Sequence, residues 1–184
     1  MQQAARVAVT VTFLRMDQRP QPGPALPPET SLVRLGCCSV PFYRFLYGTV
    51  GASHVWWLRR TLPDMELEAI LSHPEVSVHV LYRGGEPAGF FEIDRRGRPT
   101  INLSYFGLLP HAVGRGLGSA FLDAAIQTAW GAGARMVTVN TCTADHARAL
   151  PGYIRAGFHV VRRVDEIWEV PTRLGLSIPR HLLV

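Results

Sequence analysis

Tyr105-Phe106-Gly107-Leu108-Leu109-Pro110-His111-Ala112-Val113-Gly114-Arg115-Gly116-Leu117-Gly118-Ser119-Ala120 carries the strongest local signal in the chain. An apolar run ends in a loop with glycines at alternate positions, and apolar residues at helical spacing follow at once. The pattern reads as strand, glycine loop, helix N-terminus. Such a loop can turn successive backbone N–H groups toward one point, where the dipole of the helix adds partial positive charge. Glycine permits this because it reaches positive φ and lets a ligand approach the backbone. The spacing G-x-G-x-G fits two structures, a phosphate cradle and a plain tight strand–helix turn.

Upstream, Val76 to Tyr82 and Ala88 to Ile93 alternate as strands about the turn Arg83-Gly84-Gly85-Glu86-Pro87, and Arg95-Arg96-Gly97-Arg98-Pro99 turns again into Ile101 to Leu109. This antiparallel meander feeds the glycine loop. Downstream, Phe121, Leu122, Ala125, Ile126 and Ala129 form the apolar stripe of a helix from Gly118 to about Trp130, stopped by Gly131 and Gly133. Met136 to Asn140 is then a strand parallel to the one before the helix, because a helical crossover joins them. Asp145 is the expected N-cap of a last helix, in which Pro151 demands a bend or a separate first turn. Phe158 to Val164 and Ile167 to Val170 read as further strands.

Before the meander, Val7 to Phe13 alternates as a strand, and Pro20 to Pro28 is an extended connector. Between Ser39 and Ser72 the spacing turns helical. Phe42, Phe45, Leu46 and Val50 are expected on one face, with Trp56, Trp57, Leu67, Ile70 and Leu71 continuing it, and Asp64 capping a helix after Pro63. The aromatic density (Phe42, Tyr43, Phe45, Tyr47, Trp56, Trp57) suits a core face or the wall of a substrate pocket.

With 184 residues, 47% of them hydrophobic and 18% charged, the chain has the makings of one globular domain spanning 1–184. No apolar run approaches the ~18 residues that a membrane helix needs. The segment Met1 to Arg6 lacks the features of a secretory signal, so a cytoplasmic location is expected. Cys37, Cys38 and Cys142 show no metal-ligand spacing and read as reduced thiols, so no metal is expected. The net charge is +5 with a pI near 9.6, and all 19 basic residues are arginines, scattered or in pairs. Without a basic block or aromatic-interleaved basic strands, nucleic acid is not the expected partner.

The order strand, helices, three-strand meander, glycine loop and helix, strand, helix, strand resembles the GNAT superfamily of N-acetyltransferases, in a bacterial subgroup of undefined substrate. Val113-Gly114-Arg115-Gly116-Leu117-Gly118 corresponds to the family's [Q/R]-x-x-G-x-[G/A] motif. The stretch Asp145 to Phe158, with Tyr153 and Gly157-Phe158, corresponds to its second motif. The resemblance implies an α/β fold with a mixed, mostly antiparallel central sheet flanked by helices, and acetyl-CoA as co-substrate. By position, Phe106, Gly107 and Leu108 would meet the pantetheine arm, and Val113, Gly114, Arg115, Gly116, Leu117, Gly118 and Ser119 the pyrophosphate.

The implied reaction is attack of an amine, on a small molecule or a peptide, on the thioester carbonyl. Tyr153 matches the family's tyrosine that protonates the leaving thiolate. The family's glutamate base has Asn102 in its place, and an amide cannot take that proton. Glu92 on the neighbouring strand is the candidate base, and His111 in the loop is a weaker one. Val113 replaces the family's Gln or Arg. These departures favour, as the alternative, a non-catalytic CoA-binding or sensing domain on the same fold. A homodimer is compatible with the sequence.

Overall fold

A computed structural model describes residues 3–184; Met1 and Gln2 lie outside the described residues. The elements in chain order are β1 (Ala4–Met16), β2 (Thr30–Arg34), α1 (Val40–Gly51), α2 (Leu58–Thr61), α3 (Asp64–Leu71), β3 (Val76–Arg83), β4 (Glu86–Asp94), β5 (Thr100–Leu108), α4 (Leu117–Gly131), β6 (Met136–Cys142), α5 (Ala149–Arg155) and β7 (His159–Pro171). Seven strands form one sheet in the order β2-β3-β4-β5-β6-β1-β7. Every neighbouring pair is antiparallel except β5 and β6, which the α4 crossover makes parallel. Among the described residues no helix is long and apolar enough to cross a membrane.

The meander, the crossover helix and the parallel strand follow the expectation from sequence. The predicted stripe of α4 (Phe121, Leu122, Ala125, Ile126, Ala129) is buried. It packs with Phe91, Ile93, Ile101, Leu103 and Val137 into the largest apolar cluster. A second cluster, under α1 and α3, joins Tyr43, Leu46, Tyr47, Val50 and Leu67 to Val78, Val80 and Phe90. A third gathers Val7, Val9 and Val11 of β1 with Val55, Val170 and Leu182.

Four local expectations are corrected. The buried face of α1 is Tyr43, Leu46, Tyr47 and Val50, while Phe45 is 48% exposed. Aromatic residues occupy almost every turn of α1, so spacing alone could not orient it. Asp64 is the first residue of α3, not its cap, and its carboxylate accepts from Arg44 at 2.6 Å. Asp145 does not cap α5, which starts four residues later at Ala149. Pro151 therefore falls in the first turn, where its missing N–H would have had no helical partner. The two strands expected after Phe158 are one continuous β7. The short β2 was not anticipated.

Candidate active site

The cleft begins where β5 and β6 part. They pair at Thr100–Met136, Ile101–Val137 and Asn102–Thr138, and no further. Beyond that point β5 keeps only β4, and β6 keeps only β1. A β-bulge marks the parting: Glu92 pairs with Tyr105 and Ile93 with Leu103, leaving Ser104 without a partner. A bulge bends its strand and adds twist, which turns the rest of β5 away from β6. Asn102 sits at the apex, donating to Ser104 Oγ (3.0 Å) and accepting from Thr138 Oγ1 (3.1 Å). From Leu103 to Leu108, β5 therefore has backbone groups without a ladder partner on the β6 side. In water or against a ligand, these groups need other partners.

On one side of the cleft stands the glycine loop. Gly114 and Gly116 both have φ near +78°, the left-handed region that favours glycine. Gly116 is the residue before α4, so the first N–H groups of that fifteen-residue helix have no helical acceptor. A Cβ added at Gly114, Gly116 or Gly118 would meet nothing within 4 Å, so open space lies in front of the helix end. Arg115 folds back, its Nε donating to the His111 carbonyl at 2.8 Å. Val113 is 47% exposed. The predicted anion-binding residues are thus gathered at one helix terminus.

Phe106 points to the same side, its ring 5.0 Å from Phe121 and 6.5 Å from Tyr153 between centroids. Leu108 packs with that cluster as well. Tyr153 is buried, and burial first, then Asp145, pushes its hydroxyl well above the ordinary range near 10. A phenol in this setting keeps its proton at neutral pH. Gly107 has a packing reason of its own, since a Cβ there would overlap Val50 of α1.

The other side of the cleft is made of side chains. Glu92 is completely buried, and its two oxygens are taken: Oε2 accepts from the Tyr43 hydroxyl at 2.5 Å and Oε1 from Arg59 at 2.7 Å. Burial raises the Glu92 carboxyl above its usual range, while the Arg59 guanidinium and the Tyr43 hydroxyl pull it back. Arg59 lies 5.4 Å from the centre of the Tyr105 ring. Tyr105 in turn meets Tyr47 (4.9 Å) and Trp56 (5.3 Å). Trp56 Nε1 donates to Asp145 Oδ1 at 3.2 Å, and Asp145 Oδ2 accepts from Thr141 Oγ1 (2.7 Å) and the Cys142 N–H (2.9 Å). One indole thus packs on β5 and is tied to the loop after β6, spanning the open end of the cleft.

The structure brings together Phe106, Tyr153 and the loop from Val113 to Ser119, and places Glu92 across the sheet from them. Arg59 and Tyr105 were not singled out from sequence. The one signal for Tyr105 was its place in the strand that feeds the glycine loop. Cys38 and Cys142 are free thiols pushed up to about 12, chiefly by burial. Among the described residues no group of three or more His, Cys, Asp or Glu could hold a metal ion.

Solved structures share this fold at low sequence identity. An acetyltransferase of the GNAT family from Novosphingobium aromaticivorans is 18% identical with a TM-score of 0.58, over 86% of this chain and 62% of that one. A GCN5-related N-acetyltransferase from Kribbella flavida is 14% identical with a TM-score of 0.62, over 90% and 60%. One from Sphaerobacter thermophilus is 20% identical with a TM-score of 0.62, over 91% and 54%. The chain thus spans less than two thirds of the length of these neighbours. No curated protein matches it. The sequence profile of the acetyltransferase (GNAT) family matches residues 43–158, from Tyr43 of α1 through the glycine loop to Phe158. That span covers more than half the chain and all of the cleft just described, and the chain belongs to the GNAT acetyltransferase family.

Proposed function

We propose that this chain moves an acetyl group from acetyl-CoA to a primary amine of a small molecule or peptide by direct attack. The observation that carries this reading is the parting of β5 from β6 beside an open helix N-terminus, with Tyr153 against the same stretch of β5. The residues fit the co-substrate. The N–H groups from Val113 to Ser119 would hold the pyrophosphate, and the backbone groups of the stretch Phe106, Gly107 and Leu108 that face away from β4 the pantetheine arm. Acetyl-CoA supplies an activated thioester. Tyr153 holds the proton that the leaving sulfur needs, and burial keeps that proton in place until then.

Glu92 is completely buried with both oxygens already engaged, so its role here is to fix Arg59 and Tyr43 beneath the aromatic wall of Tyr47, Trp56 and Tyr105. With Asn102 tied into the apex, the amine would arrive neutral or pass its proton to water. This absence of a ready base also favours a second reading, a CoA-binding domain that senses rather than catalyses.

Acetyl-CoA at about 100 times its Kd should raise unfolding free energy by about 2.7 kcal/mol; no stabilisation at saturation overturns both readings. Thiol release with a panel of amines separates them. Tyr153→Phe should lower kcat roughly 100-fold while leaving acetyl-CoA binding within about twofold. Unchanged turnover would remove Tyr153 from the chemistry.

A further inference from the structure

The last strand of the sheet is its own complement. β7 pairs with β1 on one side, and among the described residues nothing pairs with its other edge. Its centre reads Arg162-Arg163-Val164-Asp165-Glu166. Turned antiparallel on a copy of itself about Val164, this pentad sets Arg163 opposite Asp165 and Arg162 opposite Glu166, twice each. Opposite charges directly across an antiparallel pair attract, and like charges repel. No other nearby register does this: a two-fold centred on Arg163 sets two arginines face to face, and one centred on Asp165 two aspartates.

The arginines are not neutralised within their own strand. Asp165 accepts from Thr10 Oγ1 at 2.7 Å, Glu166 accepts from Trp168 Nε1 at 2.7 Å, and Arg162 stacks on Phe13 at 4.3 Å. The next pair in the same register joins Val161 to Ile167, which are 52% and 55% exposed. A bulge between Phe13 and Leu14 of the β1 ladder leaves Val161 unpaired and ends the regular stretch there. The register about Val164 falls just inside that limit.

We propose that the outer edge of β7 binds β7 of a second copy of this chain, continuing one sheet through both copies about a two-fold axis at Val164. Edge strands are open templates for such pairing, and the self-complementary contact closes as a dimer instead of extending into a filament. β1 and β6 lie between this edge and the cleft, so both active sites stay open. A ladder this short buries less than a standard interface, so the dimer should dissociate on dilution.

Sedimentation of the full chain across a concentration series tests this. The wild type should pass from monomer to dimer. Arg162→Glu with Arg163→Asp makes the pentad wholly acidic and should weaken the dimer roughly tenfold or more. Asp165→Arg with Glu166→Arg makes it wholly basic, with the same result, and mixing the two folded variants should restore a dimer. In a Cys37→Ser background, Val164→Cys should crosslink to itself on oxidation. Ile167→Cys should not, since two such residues would lie about 20 Å apart in this register. The crosslinks do not depend on the charge variants folding. A wild type that stays monomeric, charge variants that dimerise unchanged, or self-crosslinking at 167 instead of 164 would each overturn the proposal.

Discussion

On the α4 side of the cleft the chain offers backbone: two glycines at positive φ, the free N–H groups of a helix end, and a length of β5 with no partner on its β6 side. On the α1 side it offers side chains: a buried carboxylate held by a tyrosine and an arginine, roofed by three aromatic rings. Backbone geometry leaves a mark in sequence, because only glycine tolerates it at no cost. Packed side chains leave almost none, because many residue sets would fill the same space. The difference also separates two kinds of work. A backbone site recognises a ligand common to a whole family, whereas a side-chain wall can be exchanged for a new acceptor without disturbing it.

The largest expected effect breaks the side-chain wall. Glu92→Ala leaves the guanidinium of Arg59 and the hydroxyl of Tyr43 buried without an acceptor, and should cost about 3–5 kcal/mol in urea unfolding. Glu92→Gln keeps one acceptor and fills the space but leaves the Arg59 charge uncompensated, and should cost less than the alanine variant. If Glu92→Gln instead keeps full stability and abolishes turnover, Glu92 is a base and the two walls share the chemistry.

A reference outside both walls is His79 of β3, which stacks on Phe91 at 4.6 Å and lies 3.2 Å from Ser77 Oγ. Burial, with Arg34 and Arg95 adding to it, lowers its pKa to about 4. The unfolded chain binds the extra proton between its ordinary value near 6.5 and that point. The stability this group contributes is therefore complete above pH 6.5 and lost as pH falls to about 4, about 3 kcal/mol in all. His79→Gln should flatten the stability profile across that window without touching acetyl-CoA binding; an unchanged slope would place the titration elsewhere.

On the backbone wall, Gly116→Val puts a β-branched residue at φ +78° and a side chain into the mouth of the loop. It should cost about 1–2 kcal/mol of stability. By calorimetry it should also weaken acetyl-CoA binding by roughly tenfold or more, against little effect for Glu92→Gln. Equal losses for both would mean the walls are not separate. The smallest effect is expected at the tie between them. Trp56→Phe keeps an aromatic ring against Tyr105 but loses the bond to Asp145, worth about 1 kcal/mol in thermal unfolding.

The same contrast sets what sequence could tell. The meander, the glycine loop, the crossover helix and the parallel β6 were legible because turn residues and periodicity act locally. Asp145 reads as a cap in sequence because a carboxylate after a strand looks the same whether it serves its own helix or a distant indole. Glu92 looked available because burial is not written in spacing. Arg59 was invisible for the same reason; it gains its place only once α2 has been folded over Tyr105. The face of α1 slipped because Phe42 and Phe45 compete with Tyr43 and Tyr47 in any count of apolar residues.

The position of β1 carries a consequence for how the chain assembles. The thirteen residues from Ala4 to Met16 are separated by more than a hundred residues from their ladder partners, Val137 to Cys142 and His159 to Pro171. Until those dock, an alternating Val-x-Val-x-Val strand stays without neighbours on either edge. Closing loops of this length is entropically slow, so docking of β1 between β6 and β7 should be the late step of folding. Hydrogen exchange begun during refolding should find the amides of β1 protected after those of the β3–β5 meander.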